Sequence, residues 1–350
     1  MADIGTWDSV RLQVFTNVVT GAMGRDEARH TMATKLEHIE GLVAKAAADE
    51  KVKLLLLPEF CLTGAKAKAT TEQWIDIACV NFDGPEIARM QSWAGRHRVY
   101  IGANAYCTLP EFSGRFFNIA FLISPAGDVI LKAHRIHTGI ATSPHDMLSE
   151  FLDKLGIEGL FPVAKTPLGN LCMVTSTDMA WPEVARAHVL RGAEVIVHPA
   201  SEGANLRDQL APVRQARAVE NMAYVISCNT GGYPDAPSYT GAGAAANAGL
   251  PAPSKIIDPD GKIIGIATAG ESLACRATID VAEVRKRRAA ASGLNYLAGL
   301  RVETFRDIYG KLALYPVDTW TPGVADYNAK SGEHLKEAVA RMTAMGMIGG

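Results

Sequence analysis

Apolar positions along this chain switch repeatedly between helical and strand spacing. Met32, Leu36, Ile39, Val43 and Ala46 recur at three- and four-residue steps, which predicts an amphipathic helix. Residues 52–57 follow as a short, mostly apolar run of strand length that stops at Pro58. Asp83-Gly84-Pro85-Glu86 puts proline and an acid in a first turn and predicts a second helix there. Residues 99–106 and 119–123 read as strands, and Ser124-Pro125-Ala126-Gly127-Asp128 turns the latter into a hairpin with 129–131. Further strands are expected at 171–175, 194–198 and 224–228, and helices at 182–191 and 206–221. Residues 256–264 repeat the hairpin pattern of apolar run, tight turn and apolar run. Helices alternating with strands and hairpins predict an α/β fold, with helices outside sheets.

Two stretches break the alternation. Residues 231–254, rich in Gly, Ala and Pro, read as a long surface loop. From residue 294 onward the pattern thins into an extended arm with a final helix at 333–345, suited to subunit contacts more than to catalysis. The expected organisation is one domain over residues 1–290 and a C-terminal extension over 291–350.

Composition narrows the function. With 48% apolar and 21% charged residues, the chain is composed as an ordinary globular protein and not as a disordered or fibrous one. A net charge of −2 argues against a broad basic surface for nucleic acid or an anionic membrane. Apolar runs such as 119–123 are far shorter than the roughly 20 residues that span a bilayer. The six cysteines form no Cys-x-x-Cys pair, so neither a disulfide framework nor a zinc site is expected. Residues 1–10 carry no basic region followed by an apolar stretch, so no secretory leader is expected, and reduced thiols then suit a cytoplasmic location. Gly241-Ala242-Gly243 lacks the spacing and the preceding strand of a dinucleotide loop, and no cofactor or metal is expected.

Three segments concentrate chemistry. In Leu57-Pro58-Glu59-Phe60 a strand delivers a carboxylate into a loop, where a rigid scaffold holds a group while leaving it reachable. Taken alone, such a glutamate is ordinarily an exposed one. Leu131-Lys132-Ala133-His134-Arg135-Ile136-His137 places four basic or imidazole groups just past a hairpin, which taken alone is a solvated strand end. Thr175-Ser176-Thr177-Asp178-Met179-Ala180-Trp181-Pro182-Glu183 reads as a strand, a sharp loop and a helix, with polar residues that also suit a plain capping turn.

Together these segments resemble the nitrilase superfamily of carbon–nitrogen hydrolases. That family carries a glutamate in a Pro-Glu-Phe-like motif, a lysine in a Lys-Tyr-Arg-Lys-x-His-like motif and a cysteine in a Cys-x-Asp-x-x-x-Pro-Glu-like motif. Phe117-Asn118-Ile119-Ala120 and Pro125-Ala126-Gly127-Asp128 are similar to its central hairpin. Arg191-Gly192-Ala193-Glu194-Val195-Ile196 and Arg217-Ala218-Val219-Glu220-Asn221 are similar to its next helix–strand units, and the resemblance runs over residues 10–290. It implies a four-layer αββα sandwich with the C-terminal arm outside it, and a homodimer or larger assembly.

Carried over residue by residue, the motifs put Glu59 on the general base, Arg135 on the lysine and Ser176 on the cysteine. A serine hydroxyl is far less acidic than a thiol and needs a well-placed base. An arginine keeps its charge and can steady an oxyanion, but it cannot deliver a proton as lysine does. A laboratory Cys-to-Ser change would account for Ser176 and leave Arg135 unexplained. Cys172 and Cys61 are the nearby thiols, and Ser176 with His134 or His137 is the alternative serine arrangement. The implied activity is hydrolysis of a small amide or carbamoyl-type substrate, with Thr177 giving a backbone N–H to an oxyanion. Trp181 and His145, the latter in Ser143-Pro144-His145-Asp146, are candidate pocket walls. The alternative is a protein that keeps the fold for binding or regulation and has lost the chemistry.

Overall fold

The computed structural model describes residues 5–66, 69–232, 252–267, 270–320 and 327–348. The loop expected at 231–254 therefore lies almost wholly outside the described residues. Twelve strands build two sheets among them. The first sheet contains β1 (Trp7–Gln13), β2 (Val52–Leu56), β3 (Tyr100–Cys107), β4 (Phe117–Ile123), β5 (Val129–His134) and β12 (Ser272–Ile279). Its order is β12-β1-β2-β3-β4-β5. The second contains β6 (Ala164–Thr166), β7 (Gly169–Met173), β8 (Val195–Pro199), β9 (Tyr224–Cys228), β10 (Ser254–Ile257) and β11 (Ile263–Ala267). Its order is β11-β10-β9-β8-β7-β6. Each sheet has three parallel strands at its centre, β1-β2-β3 and β7-β8-β9, with antiparallel strands outside them.

The helices are α1 (Arg25–Ala47), α2 (Thr71–Ile77), α3 (Pro85–His97), α4 (Leu148–Leu160), α5 (Pro182–Leu190), α6 (Ala204–Asn221), α7 (Val281–Ala289), α8 (Val302–Lys311) and α9 (Tyr327–Ala344). Pro85 opens α3 at its first turn, where its missing N–H would have no partner in any case. No helix among the described residues is long and apolar enough to cross a membrane.

Three apolar cores separate the layers, and strand alternation assigns residues to them. In β2, Leu55 packs outward with Leu36 and Ile39 of α1 and Trp93 of α3, while Leu54 and Leu56 face the second sheet. In β8, Val195 and Val197 meet them from the other side, while Ile196 packs outward with Val184 and Val189 of α5. Both faces of these strands are covered along most of their length, which is why they read as mostly apolar runs. The result is the four-layer αββα sandwich.

β1 escapes sequence reading because Asp8, Ser9, Arg11 and Gln13 make it look half solvated. It is nonetheless buried throughout: Val10 and Leu12 face the helices, and Gln13 reaches between the sheets to the Ser254 hydroxyl at 2.7 Å. The last helix begins at Tyr327, earlier than the expected 333. Before it, the arm is tacked onto the first turn of α4 and the segment that precedes it. Asp318 accepts from the Ser149 N–H at 2.9 Å, the Trp320 N–H donates to the Asp146 carbonyl at 2.8 Å, and the Trp320 ring lies 3.4 Å from the Arg115 guanidinium.

Leu36 is 1% exposed and sits in the core under α1. Leu36→Ala is expected to destabilise the fold by about 2–5 kcal/mol, measured as a lower midpoint in denaturant unfolding.

Candidate active site

Glu59 lies just beyond β2, at the carboxyl end of a parallel strand, where open α/β sheets place their ligands. Its N–H donates to the Ala200 carbonyl just past β8 at 3.2 Å, so the two sheets are joined at this residue. The side chain is fully buried. Oε1 accepts from Asn118 Nδ2 at 2.8 Å and from Arg135 Nη1 at 3.0 Å. Asn118 is oriented in turn by Asn104, whose Nδ2 donates to Asn118 Oδ1 at 2.6 Å. Oε2 has no partner within ordinary hydrogen-bond geometry, yet the Ser176 hydroxyl lies near enough to ease its ionisation. Burial raises the carboxyl pKa, and Arg135, Asn118 and Ser176 only partly counter it.

Arg135 follows β5 directly, and its N–H extends the ladder with β4 by donating to the Asn118 carbonyl at 2.9 Å. Nη2 donates to the Thr177 hydroxyl at 2.6 Å, while Nε is enclosed without a partner. The guanidinium therefore bridges the loop after β2 and the turn after β7.

That turn is the 3₁₀ segment Ser176–Ala180, fed by β7 and leading into α5. Ser176 is buried with φ +50°, a left-handed conformation that costs a non-glycine residue about 1–2 kcal/mol. Several anchors hold the turn in place. Asp178 accepts from the Ile136 N–H at 2.7 Å and the His137 N–H at 2.8 Å, and its Oδ1 lies 3.0 Å from His137 Nδ1. Arg217 of α6 donates to the Met179 and Ala180 carbonyls at 3.0 and 2.9 Å. His198 Nε2 lies 2.9 Å from the Ser176 carbonyl oxygen.

Glu59, Arg135, Ser176 and Thr177 thus meet at one point. Trp181 stands beside it, 40% exposed and stacked flat on His137 at 3.8 Å. His145 has its ring edge-on to Tyr315 of the arm and its backbone N–H on the Ser143 hydroxyl. The serine–histidine alternative does not assemble. The His134 ring is lodged between Phe117 and Phe151, and His137 is engaged by Asp178 and Trp181. Nor is residues 131–137 a solvated strand end, because His134 is buried. Burial pushes the Cys61 thiol up to about 12 and the Cys172 thiol upward as well, so both are core thiols. Among the described residues no group of three or more His, Cys, Asp or Glu side chains is placed to hold a metal.

Sequence reading missed the roles of Asn104, Asn118, His198 and Arg217. A polar residue inside an otherwise apolar strand, as in Phe117-Asn118-Ile119-Ala120, was the available signal, since burying an amide demands a partner.

Residues 23–289 match the sequence profile of the family described as "Carbon-nitrogen hydrolase". A formamidase of Bacillus cereus is 27% identical over 198 residues, 56% of this chain and 55% of the relative. The chain thus spans about half the length of the curated relatives it matches. A carbon–nitrogen hydrolase of Helicobacter pylori superposes with a TM-score of 0.68 at 19% identity, over 88% of this chain and 100% of the other. An amidase of Nesterenkonia sp. superposes with a TM-score of 0.62 at 18% identity, over 86% and 96%. At those identities the two structures speak for the fold.

Two outcomes are expected from this geometry. Asp178→Asn weakens three contacts to a buried carboxylate and should destabilise the fold by about 1–3 kcal/mol in denaturant titration. Burial holds His134 and His198 at about 3 and His188 at about 4, against about 6.5 for an unfolded histidine. These depressed values mean that the unfolded chain takes up the protons first. Their contribution is full above about pH 6.5 and is lost as pH falls toward the folded values, by up to ~1.4 kcal/mol per pH unit for each ring. The raised Glu59 carboxyl acts with the opposite sign, since the folded chain binds its proton first, but the three histidines outnumber it. Stability measured by denaturant titration should therefore fall between pH 6.5 and 4.5, and a flat profile there would refute the reading.

Proposed function

We propose that this chain, which belongs to the carbon–nitrogen hydrolase family, hydrolyses a small amide or carbamoyl-type substrate at an atypical Glu59-Arg135-Ser176 site. The observation that carries the reading is the convergence of Arg135 and Ser176, from the ends of β5 and β7, on the buried Glu59 carboxylate at the end of β2. Formamidase and amidase relatives favour a small substrate.

The chemistry follows from the groups present. The Ser176 hydroxyl attacks the amide carbon while Glu59 takes its proton, a task for which burial makes this carboxylate a stronger base than an exposed one. The oxyanion forms beside the Arg135 guanidinium and the Thr177 N–H. Arginine cannot release a proton at this pH, so the proton that the leaving nitrogen needs comes back from Glu59. Ammonia or an amine departs, leaving an ester on Ser176. Glu59 then deprotonates a water that attacks the ester, and the returned proton frees the serine.

One observation favours a second reading, a binding protein without turnover. Arg135 neutralises the very carboxylate that must act as base, and the two form a largely buried pair. Self-association is also part of the proposal. Val302, Phe305, Ile308 and Tyr309 of α8 are each more than half exposed, and isolated helices of such length are marginal in water.

Intact-protein mass spectrometry beside turnover on an amide, ester, carbamoyl and nitrile panel tests the catalytic reading. The expected result is an acyl adduct and turnover in the native chain, abolished by Ser176→Ala and reduced at least ~100-fold by Glu59→Gln. Turnover confined to Ser176→Cys would show a competent framework with a disabled nucleophile. No adduct in either chain would move the binding reading ahead.

A further inference from the structure

His198 is the fully buried imidazole of β8, and nothing in the proposed reaction uses it. It points to the same side of the second sheet as Ile196, into the layer beneath α5 and α6. Its two ring nitrogens face different partners. Nε2 lies 2.9 Å from the Ser176 carbonyl oxygen and Nδ1 lies 2.9 Å from the Ser227 hydroxyl. A carbonyl can only accept, so Nε2 carries the proton; Nδ1 must then accept from the hydroxyl, which can donate. Glu202 Oε1 is 3.9 Å from Nε2, too far to compete for that proton.

The peptide between Ser176 and Thr177 is trans, so its C=O and N–H point in opposite directions across one rigid plane. Fixing the carbonyl fixes the amide. With the Ser176 carbonyl turned onto His198, the Thr177 N–H is turned away from it, and it donates to no group among the described residues. The turn needs such a hold, because the left-handed Ser176 lies outside the region an L-residue prefers and relaxation of φ would swing this peptide.

We propose that His198 is a positioning residue that locks the Ser176–Thr177 peptide with its N–H presented to the oxyanion formed at Ser176. This inference rests on the hydrolytic reading for its kinetic consequence, and on hydrogen-bond geometry alone for the lock itself. Burial first, and the charges of Arg214 and Arg135 after it, keep the ring neutral, so the Nε2 donor persists through the physiological range.

The test pairs His198→Leu, which removes the donor, with His198→Gln, whose amide nitrogen reaches to nearly the same place. On the best substrate of the panel, His198→Leu is expected to lower kcat roughly 100-fold with little change in KM, the size of effect seen when one oxyanion donor is lost, and His198→Gln to recover most of it. Nitrogen NMR of histidine-labelled protein, with His198 assigned by its absence from His198→Gln, is expected to show the Nε2–H tautomer unchanged from pH 7 to pH 5. Equal losses in both variants, a fall in KM affinity instead of kcat, or an Nδ1–H tautomer would each overturn the proposal. Should the native chain turn nothing over, the hydrolytic reading fails and the tautomer still decides whether the lock exists.

Discussion

The site depends on one constraint: a carboxyl group has been taken out of water where the two sheets meet. An ionised carboxylate in such a place is tolerable only with a counter-charge and hydrogen bonds around it. Arg135 and Asn118 supply them to Glu59, and Asn104 orients Asn118. The same contacts bind β2, β4 and β5 to the turn after β7, so the device that keeps the charge buried also assembles the site. Removal of either charged partner would leave the other enclosed and uncompensated.

Arginine at this place has consequences that lysine would not. Its planar fork reaches Glu59 with one nitrogen and the Thr177 hydroxyl with another, tying the buried carboxylate to the turn after β7 through a single side chain. The guanidinium does not lose its proton, so all proton traffic in the proposed reaction falls on Glu59. The proposed serine nucleophile raises the demand on the same group, and a carboxyl whose pKa is raised by burial is suited to meet it.

The turn Ser176–Ala180 is strained at its first residue and held from three sides: by Asp178 to the loop after β5, by Arg217 from α6 and by His198 from β8. Further out, the C-terminal arm holds the Pro144–Met147 segment through Asp318 and Trp320, and Ser143 passes that hold to the Ile136 carbonyl at 2.6 Å. The arm beyond the sandwich is thus mechanically connected to the residue beside Arg135.

Much of this was legible in the chain. The mostly apolar run at 52–57 and the segment 194–198 read as strands, and the helix at Pro85 announced itself by its opening proline. Resemblance to the family's motifs singled out Glu59, Arg135 and Ser176, which the fold brings together. His145 also stood in a suggestive motif, but the fold turns its ring to the arm. The strand β1 was illegible because its polar residues find their partners in other strands, Ser9 in β2 and Asp8 and Gln13 more than 200 positions further along the chain. The roles of Asn118 and His198 inside their strands were illegible for the same reason. The sequence by itself determined which segments become strands and helices, and which side chains carry charge, because periodicity and ionisation are local. Only the tertiary structure decided which of those groups face each other, how deeply Glu59 is buried and which carbonyl His198 holds, because a hydrogen bond depends on distance in space and not on separation along the chain.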